Sequence, residues 1–147
     1  MTIGITNDHR GVKAKNFLME YLTALGYTVI DYGADTEEPV DFPDYAKKLG
    51  DGIKNNEVAL GIAICGTGIG MSIALNKMKG IYCAKVSSTS EATLSKAHND
   101  ANVIAISEEM GDDLMKEVIT TFIETPFTNI DRYKKRNDKI KDIENNV

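Results

Sequence analysis

The stretch VALGIAICGTGIG, residues 58–70, decides the fold of this chain. Residues 58–64 are almost continuously apolar, which is typical of a parallel strand that is covered on both faces. The three glycines that follow permit a tight turn into a short helix. The stretch therefore predicts a strand, a glycine loop and a helix in direct succession.

Similar alternations of strand and helix lie on both sides of this unit. β-rich or apolar runs predict four further strands, at residues 2–6, 28–32, 81–86 and 103–106. Apolar residues at helical spacing predict helices between the strands, among them 90–98 and 111–125. Five such units imply a parallel sheet with right-handed crossovers. We therefore predict an α/β fold, a single Rossmann-like domain over 1–147 with a five-stranded parallel sheet in the order 2-1-3-4-5 and helices on both faces.

A further helix is predicted at about 131–145, in a segment rich in lysine, aspartate and asparagine. Its sizeable apolar residues are few: Ile130, Tyr133, Ile140 and Ile143. One interpretation is a frayed surface tail. The other is a narrow apolar stripe that docks on a partner subunit. Arg132 and Arg136 lie at the start of this helix, which favours docking.

Composition excludes several classes of protein. A formal net charge of -5 argues against nonspecific binding to nucleic acid. No apolar stretch approaches the roughly 20 residues that cross a membrane, and no signal-peptide pattern is present, so a cytoplasmic location is expected. Cys65 and Cys83 form no C-x-x-C pair, which predicts free thiols rather than a disulfide or a zinc site.

Two polar loops are predicted to meet at one edge of the sheet. In an open parallel sheet, ligands bind beyond the carboxyl ends of the strands, where the strand order reverses. For the predicted order this crevice lies between the first and third strands. The loops there are NDHRG, residues 7–11, and CGTGIG, residues 65–70. Together they supply a carboxylate, an imidazole, a guanidinium, a thiol and a row of backbone N–H groups.

Spacing excludes three common uses of a glycine loop. The glycines at 66, 68 and 70 do not match the G-x-G-x-x-G fingerprint of dinucleotide-binding folds. A mononucleotide P-loop needs Lys and then Ser or Thr after its last glycine, whereas Met71 follows Gly70. A phosphatase of the C-x5-R type needs arginine at position 71.

What remains for Cys65 is a thiolate that acts as nucleophile or base, since a helix N-terminus and stacked N–H groups stabilise such an anion. The alternative is an inert buried thiol, and Cys83 is predicted to be one. His9 and His98 are expected to project from the same carboxyl side of the sheet as Cys65. Asp8 and His9 are neighbours that point in different directions, so no metal site is predicted.

Five collinear motifs now identify a resemblance that spans nearly the whole chain. They are TNDHRG (6–11), VDFPDYA (40–46), ICGTGIGMSIALNK (64–77), LSKAHNDANV (94–103) and DRYKKR (131–136). In this order they resemble the family of ribose-5-phosphate isomerase B and the galactose-6-phosphate isomerase subunits. The resemblance implies an aldose–ketose isomerase that interconverts ribose 5-phosphate and ribulose 5-phosphate through a cis-enediolate, without a metal or another cofactor.

The resemblance also implies roles for individual residues. Cys65 is the expected base, with His98 opening the sugar ring and Thr67 relaying protons. Asp8 is expected to orient His98 or the sugar, and Asn99 to hold a hydroxyl. The residues expected at the enediolate oxygens are Gly66, Thr67, Gly68, Ile69 and Gly70; those expected at the phosphate are His9, Arg132 and Arg136. A neighbouring subunit completes the site in this family, so a homodimer or homotetramer is expected.

The chain departs from the family's pattern at several positions. Ser107, Glu108 and Glu109 stand where the family commonly has a glycine and an arginine. Tyr82 replaces a common arginine, and Tyr133 replaces a common histidine. These departures leave two alternatives open: an isomerase of another phosphorylated aldose, such as a hexose or tetrose phosphate, or a sugar-phosphate-binding homologue without turnover. Which subunit supplies each arginine also stays open.

Overall fold

A computed structural model describes residues 1–146, which form alternating strands and helices. The strands are β1 (Thr2–Asn7), β2 (Thr28–Asp31), β3 (Leu60–Cys65), β4 (Cys83–Lys85) and β5 (Val103–Ser107). The helices are α1 (Val12–Ala24), α2 (Phe42–Lys54), α3 (Ile69–Asn76), α4 (Thr89–Asn99), α5 (Asp112–Glu124) and α6 (Asp131–Asn145), and a 3-10 turn occupies His9–Gly11. All strand pairs are parallel, which confirms the predicted fold class.

The strand order is β2-β1-β3-β5-β4, so the predicted order 2-1-3-4-5 is wrong for the last two strands. Burial explains the exchange. Residues Val103–Ile106 of β5 are all buried, as an inner strand with helices on both faces requires. β4 has only three residues and ends in the exposed Lys85, which suits a short edge strand. The neighbouring positions of β1 and β3 are as predicted.

Two apolar layers form because successive side chains of each strand point to opposite faces. Ile62 and Ile64 of β3 pack with residues of α1, α4 and α5. Ala63 and Cys65 of the same strand pack with residues of α2 and α3 on the other face. Cys65 is therefore at once the last residue of an inner strand and part of the layer beneath α3.

Helix α6 contributes no buried residue to either layer. It packs on the end of α4 in its own chain, where the Asn137 side chain donates to the carbonyl of His98 at 3.1 Å. Farther along, the Glu144 carboxylate accepts from the backbone N–H of Gly80 at 2.8 Å. The segment is thus an ordered helix rather than a frayed tail. Within residues 1–146, no helix combines the length and the apolar character that spanning a bilayer requires.

Candidate active site

The two polar loops meet at the carboxyl edge of the sheet, as the sequence predicts. β1 and β3 pair in parallel with Asn7 opposite Ile64. Past the last pair, the backbone N–H of Asp8 donates to the carbonyl of Ile64 at 3.2 Å. The residues after β1 and those after β3 therefore line one crevice at the point where the strand order reverses.

The thiol of Cys65 lies under the glycine loop. The residue is 5% exposed. Its Sγ accepts a hydrogen bond from the backbone N–H of Gly68 at 3.1 Å. The strand alternation causes this position, because residue 65 still belongs to β3 and faces α3. Gly68 is the N-cap of α3, so the sulfur accepts its hydrogen bond at the N-terminus of that helix.

Two of the loop's glycines are required by the local geometry. Gly68 has a φ of 83°, in the left-handed region that favours glycine. A Cβ on Gly70 would lie 2.8 Å from the Phe42 ring, which packs over the first turn of α3. Gly66 has neither constraint, since the nearest atom to a Cβ there is the Arg10 guanidinium at 3.6 Å. The absence of a side chain at Gly66 leaves the backbone open to a ligand.

Several amides of the loop remain available. The Ile69 N–H donates to the Thr67 hydroxyl at 3.1 Å. For the N–H groups of Gly66, Thr67 and Gly70, no acceptor is found within residues 1–146. The first amides of a helix have no intrahelical partner, so an anion beside α3 can accept from them.

The end of β5 fixes the orientation of one of these peptides. The Ser107 hydroxyl donates to the carbonyl of Gly66 at 2.7 Å. One residue on, the Glu108 N–H donates to the carbonyl of Cys65 at 2.9 Å. In a trans peptide the C=O and the following N–H point in opposite directions. Ser107 therefore turns the Thr67 N–H away from β5, and sequence analysis did not anticipate this role.

The loop after β1 presents Asp8, His9 and Arg10. Asp8 is buried, and its carboxylate accepts from the Arg10 N–H at 2.9 Å, which caps the 3-10 turn. His9 Nδ1 accepts from the backbone N–H of Val40 at 3.1 Å, so a neutral His9 carries its proton on Nε2. The two side chains make separate contacts, as expected for neighbours in this loop.

A buried lysine holds the segment that leads to Val40. Lys15 of α1 is 1% exposed, and its ammonium donates to the carbonyl of Ala34 at 2.7 Å and pairs with Asp31 at 3.1 Å. The Asn7 side chain donates to the same Ala34 carbonyl at 3.0 Å. The segment after β2 is therefore anchored to both α1 and β1, and with it the partner of His9.

The carboxylates noted as departures from the family pattern lie beside Arg10. Nη2 of Arg10 is 2.8 Å from a Glu108 oxygen and 3.8 Å from a Glu109 oxygen. This ion pair joins the loops after β1 and β5 across the glycine loop. Arg10 was quoted in the sequence motif but was given no role, although arginine is scarce in this chain.

His98 and Asn99 lie at the opposite edge of the sheet, which corrects the expectation that His98 shares an edge with Cys65. A crossover helix runs antiparallel to its strands, so the end of α4 returns to the amino ends of the strands. Asn102, just before β5, accepts at its carbonyl from the N–H of Gly61 near the start of β3. The six residues of β3, at about 3.3 Å each, place roughly 20 Å between the two edges.

A second group of polar residues surrounds His98 at this amino edge. The Tyr133 ring stacks on the imidazole with 4.5 Å between centroids, and its hydroxyl lies 3.1 Å from His98 Nε2. The Arg132 guanidinium lies 4.9 Å from the centroid of the Tyr133 ring. Arg132 and Arg136 are exposed on the first turns of α6.

The predicted site residues therefore form two groups in one chain. The carboxyl-edge cluster consists of Asp8, His9, Cys65 and the loop Gly66–Gly70. The amino-edge cluster consists of His98, Asn99, Arg132 and Arg136. Cys83 belongs to neither: it begins β4, and burial raises the pKa of its thiol to about 12, which keeps it protonated at neutral pH.

Comparison with known proteins supports one family. The model of the ribose/galactose isomerase family matches residues 3–140. A Bacillus subtilis protein named putative sugar phosphate isomerase YwlF is 41% identical over 146 residues, which cover 98% of this chain and 97% of that protein. The solved Clostridium thermocellum ribose-5-phosphate isomerase B superposes with a TM-score of 0.96 at 40% identity, covering 99% of both chains. A Mycoplasma genitalium ribose-5-phosphate isomerase B, solved with bound ribulose-5-phosphate, gives 0.93 at 34% identity and covers 99% of this chain and 97% of that one.

Proposed function

This chain belongs to the ribose/galactose isomerase family, and from that membership we propose that it interconverts ribose 5-phosphate and ribulose 5-phosphate. The single observation that carries the proposal is the position of Cys65, beneath a loop whose free amides face the crevice of the sheet. The close likeness to the Mycoplasma genitalium enzyme, which was solved with ribulose-5-phosphate, supports the choice of sugar.

The proton transfer begins at the aldehyde form of the sugar. The Cys65 thiolate removes the proton from C2, and the electron pair of that bond moves toward O1, which gives an enediolate. The resulting thiol returns a proton to C1 to give the ketose. The Thr67 hydroxyl, which accepts from the Ile69 N–H and keeps its own proton free, exchanges protons between O1 and O2.

The amides of the glycine loop stabilise the charge that develops on the sugar oxygens. The N–H groups of Gly66, Thr67 and Gly70 have no acceptor among residues 1–146, and the Gly68 N–H donates to the sulfur. Fixed donors directed at developing negative charge commonly contribute a factor of about 100 or more to the rate. Gly70 lies in the first turn of α3, and Gly66 and Thr67 lie in the loop just before its N-cap, Gly68, so these donors need no reorganisation during the reaction.

The proposal requires a second copy of the chain. His98 opens the sugar ring as a general acid and base and Asn99 binds a hydroxyl, with Asp8 orienting the sugar or the imidazole. His9 binds the phosphate together with Arg132 and Arg136, which lie one helical turn apart. Since the amino-edge cluster is roughly 20 Å from Cys65 in its own chain, a partner in a homodimer or homotetramer supplies it. Ile69 and Ile73, 53% and 59% exposed beside the loop, offer an apolar surface for that contact.

A second candidate substrate is another phosphorylated aldose, such as a hexose or tetrose phosphate. The observation that favours it is the Arg10–Glu108 ion pair, in which Glu108 belongs to the segment where the family commonly has an arginine. Added carboxylate charge there changes which sugar phosphate fits best. A homologue that binds sugar phosphates without turnover is the remaining alternative.

The decisive experiment measures kcat/KM over a panel of phosphorylated pentoses, hexoses and tetroses, for the wild type and for Cys65→Ala. We expect ribose 5-phosphate to be preferred by more than about tenfold. We expect Cys65→Ala to lower turnover by about a thousandfold with an unchanged fold, whereas Cys83→Ala retains it. Deuterium exchange at C2 of the sugar in D2O separates an isomerase from a mere binder. Full turnover by Cys65→Ala would defeat the mechanism.

A further inference from the structure

Arg10 carries a permanent positive charge next to the proposed reaction centre. A Cβ built on Gly66 would lie 3.6 Å from its Nη1 and 3.7 Å from its Cζ, so the guanidinium lies beside this residue of the glycine loop. The side chain is 53% exposed and therefore accessible from the crevice. Its hydrogen bond to Glu108 raises the pKa of Arg10, and the group stays charged throughout the working pH range.

Only part of the Arg10 donor set is used within the chain. Both carboxylate contacts, at 2.8 Å to Glu108 and 3.8 Å to Glu109, go through Nη2. A guanidinium has five N–H donors in a planar fork, and Nη1 is the Arg10 atom nearest to a Cβ built on Gly66. Among residues 1–146, the hydrogen bond from the guanidinium goes from Nη2 to Glu108, and none is found from Nη1. This half of the fork is available to an anion.

We infer that Arg10 is an anion-binding residue of this chain's own carboxyl-edge cluster, which contacts the phosphorylated substrate through Nη1, and that Glu108 orients it while limiting its affinity. The inference deepens the proposed function and rests on it for the identity of the substrate. It adds to the two arginines of α6 a third one, supplied by the same chain as Cys65.

The opposed roles of Arg10 and Glu108 give a signature that a purely structural ion pair lacks. Removing the guanidinium removes attraction for the phosphate. Replacing Glu108 by glutamine removes a negative charge but keeps an oxygen that accepts from Nη2, so Arg10 stays in place. A structural ion pair would instead respond to both changes with a similar loss of thermal stability and no change in phosphate affinity.

The test titrates inorganic phosphate into the wild-type protein and its variants by calorimetry, alongside KM for ribose 5-phosphate. For Arg10→Gln we expect the Kd for phosphate and the KM for ribose 5-phosphate to rise by about tenfold. For Glu108→Gln we expect both constants to fall by about two- to fivefold. Glu109→Gln should lower them by less. Lys13→Gln, which removes an exposed positive charge three residues away, is the matched control and should leave both unchanged.

The outcomes separate this inference from the proposed function. Equal phosphate affinities of Arg10→Gln and Lys13→Gln would overturn the role of Arg10, and so would weaker binding by Glu108→Gln. If the wild type converted no sugar phosphate at all, the proposed function would fail. Loss of phosphate binding in Arg10→Gln would still support Arg10 as an anion-binding residue.

Discussion

The two edges of the sheet hold the two halves of the proposed site in different ways. At the carboxyl edge, backbone groups dominate: a glycine loop, the N-terminus of α3, and peptides fixed by hydrogen bonds from β5. At the amino edge, side chains from α4 and α6 contact one another, as in the stack of Tyr133 on His98. The first cluster is set by the sheet topology, whereas the second depends on how one helix end docks on another.

One chain thus carries every group of the proposed mechanism, but it does not bring these groups together in one site. A parallel sheet puts strand ends and crossover-helix ends on opposite edges, so Cys65 and His98 cannot meet within the chain. In the proposed homodimer, a twofold axis brings the carboxyl edge of each copy to the amino edge of the other. The proposed mechanism therefore requires an oligomer.

The largest expected effect comes from recombining the two edges. Cys65→Ala and His98→Ala should each be inactive alone. A hybrid of the two, co-expressed with different tags and purified on both, contains one site with Cys65 and His98 intact and one site with neither. We expect it to recover about half of the wild-type activity. The recovery tests whether the clusters combine across chains.

A second hybrid is the control for this result. Cys65→Ala with Asp8→Asn places both defects in the carboxyl-edge cluster, so each site of the hybrid keeps one defect and no activity returns. An inactive Cys65→Ala and His98→Ala hybrid would show that the two edges do not meet between subunits, and the shared-site model would have to be abandoned.

Much of the fold followed from the sequence because local patterns and burial agree. The apolar run 58–64, the glycine loop and the helical periodicities specify the β–α units one by one, and they also place the loops after β1 and β3 together. The exchange of β4 and β5 was missed since strand order is a long-range property. The exposed Lys85 and the fully apolar VIAI of β5 were the available signals.

The site was harder to predict for a related reason. The edge at which His98 lies depends on the direction of the chain, because a crossover helix ends at the amino edge of the sheet, and the motif around His98 carries no sign of that direction. Ser107, Arg10 and Lys15 act through contacts with residues distant in sequence, such as Ser107 with Gly66, and no local pattern marks those. The departures from the family's motif at 107–109 were the one local sign that the contacts around the glycine loop differ from those of the family.

A smaller effect is expected from Ser107→Ala, which tests how strictly the backbone of the carboxyl edge is oriented. Without the hydroxyl, the Gly66 carbonyl is released and the Thr67 N–H loses its fixed direction. We expect kcat for ribose 5-phosphate to fall by about tenfold with KM nearly unchanged, because the amide acts on the developing charge rather than on bound substrate.

Thr125→Ala is the control for Ser107→Ala. It removes a comparable hydrogen bond, from the Thr125 hydroxyl to the Thr121 carbonyl at 2.6 Å, at the end of α5. Thermal unfolding and kinetics of both variants should show similar losses of stability, with a loss of kcat in Ser107→Ala alone. A rise in KM at constant kcat would assign Ser107 to ground-state binding instead.

The smallest effect is expected from Tyr133→Phe, which probes the side-chain contacts of the amino edge. The substitution keeps the ring stacked on His98 but removes the hydroxyl 3.1 Å from its Nε2. If that contact holds the imidazole for ring opening, net conversion falls by about two- to fivefold. Ribulose 5-phosphate has no furanose form, because its C5 oxygen carries the phosphate, so exchange of its C1 proton with D2O depends on Cys65 and the glycine loop but needs no ring opening. That exchange should keep its wild-type rate in Tyr133→Phe, and an equal loss of exchange and conversion would place Tyr133 in the proton-transfer step rather than beside the ring-opening residue.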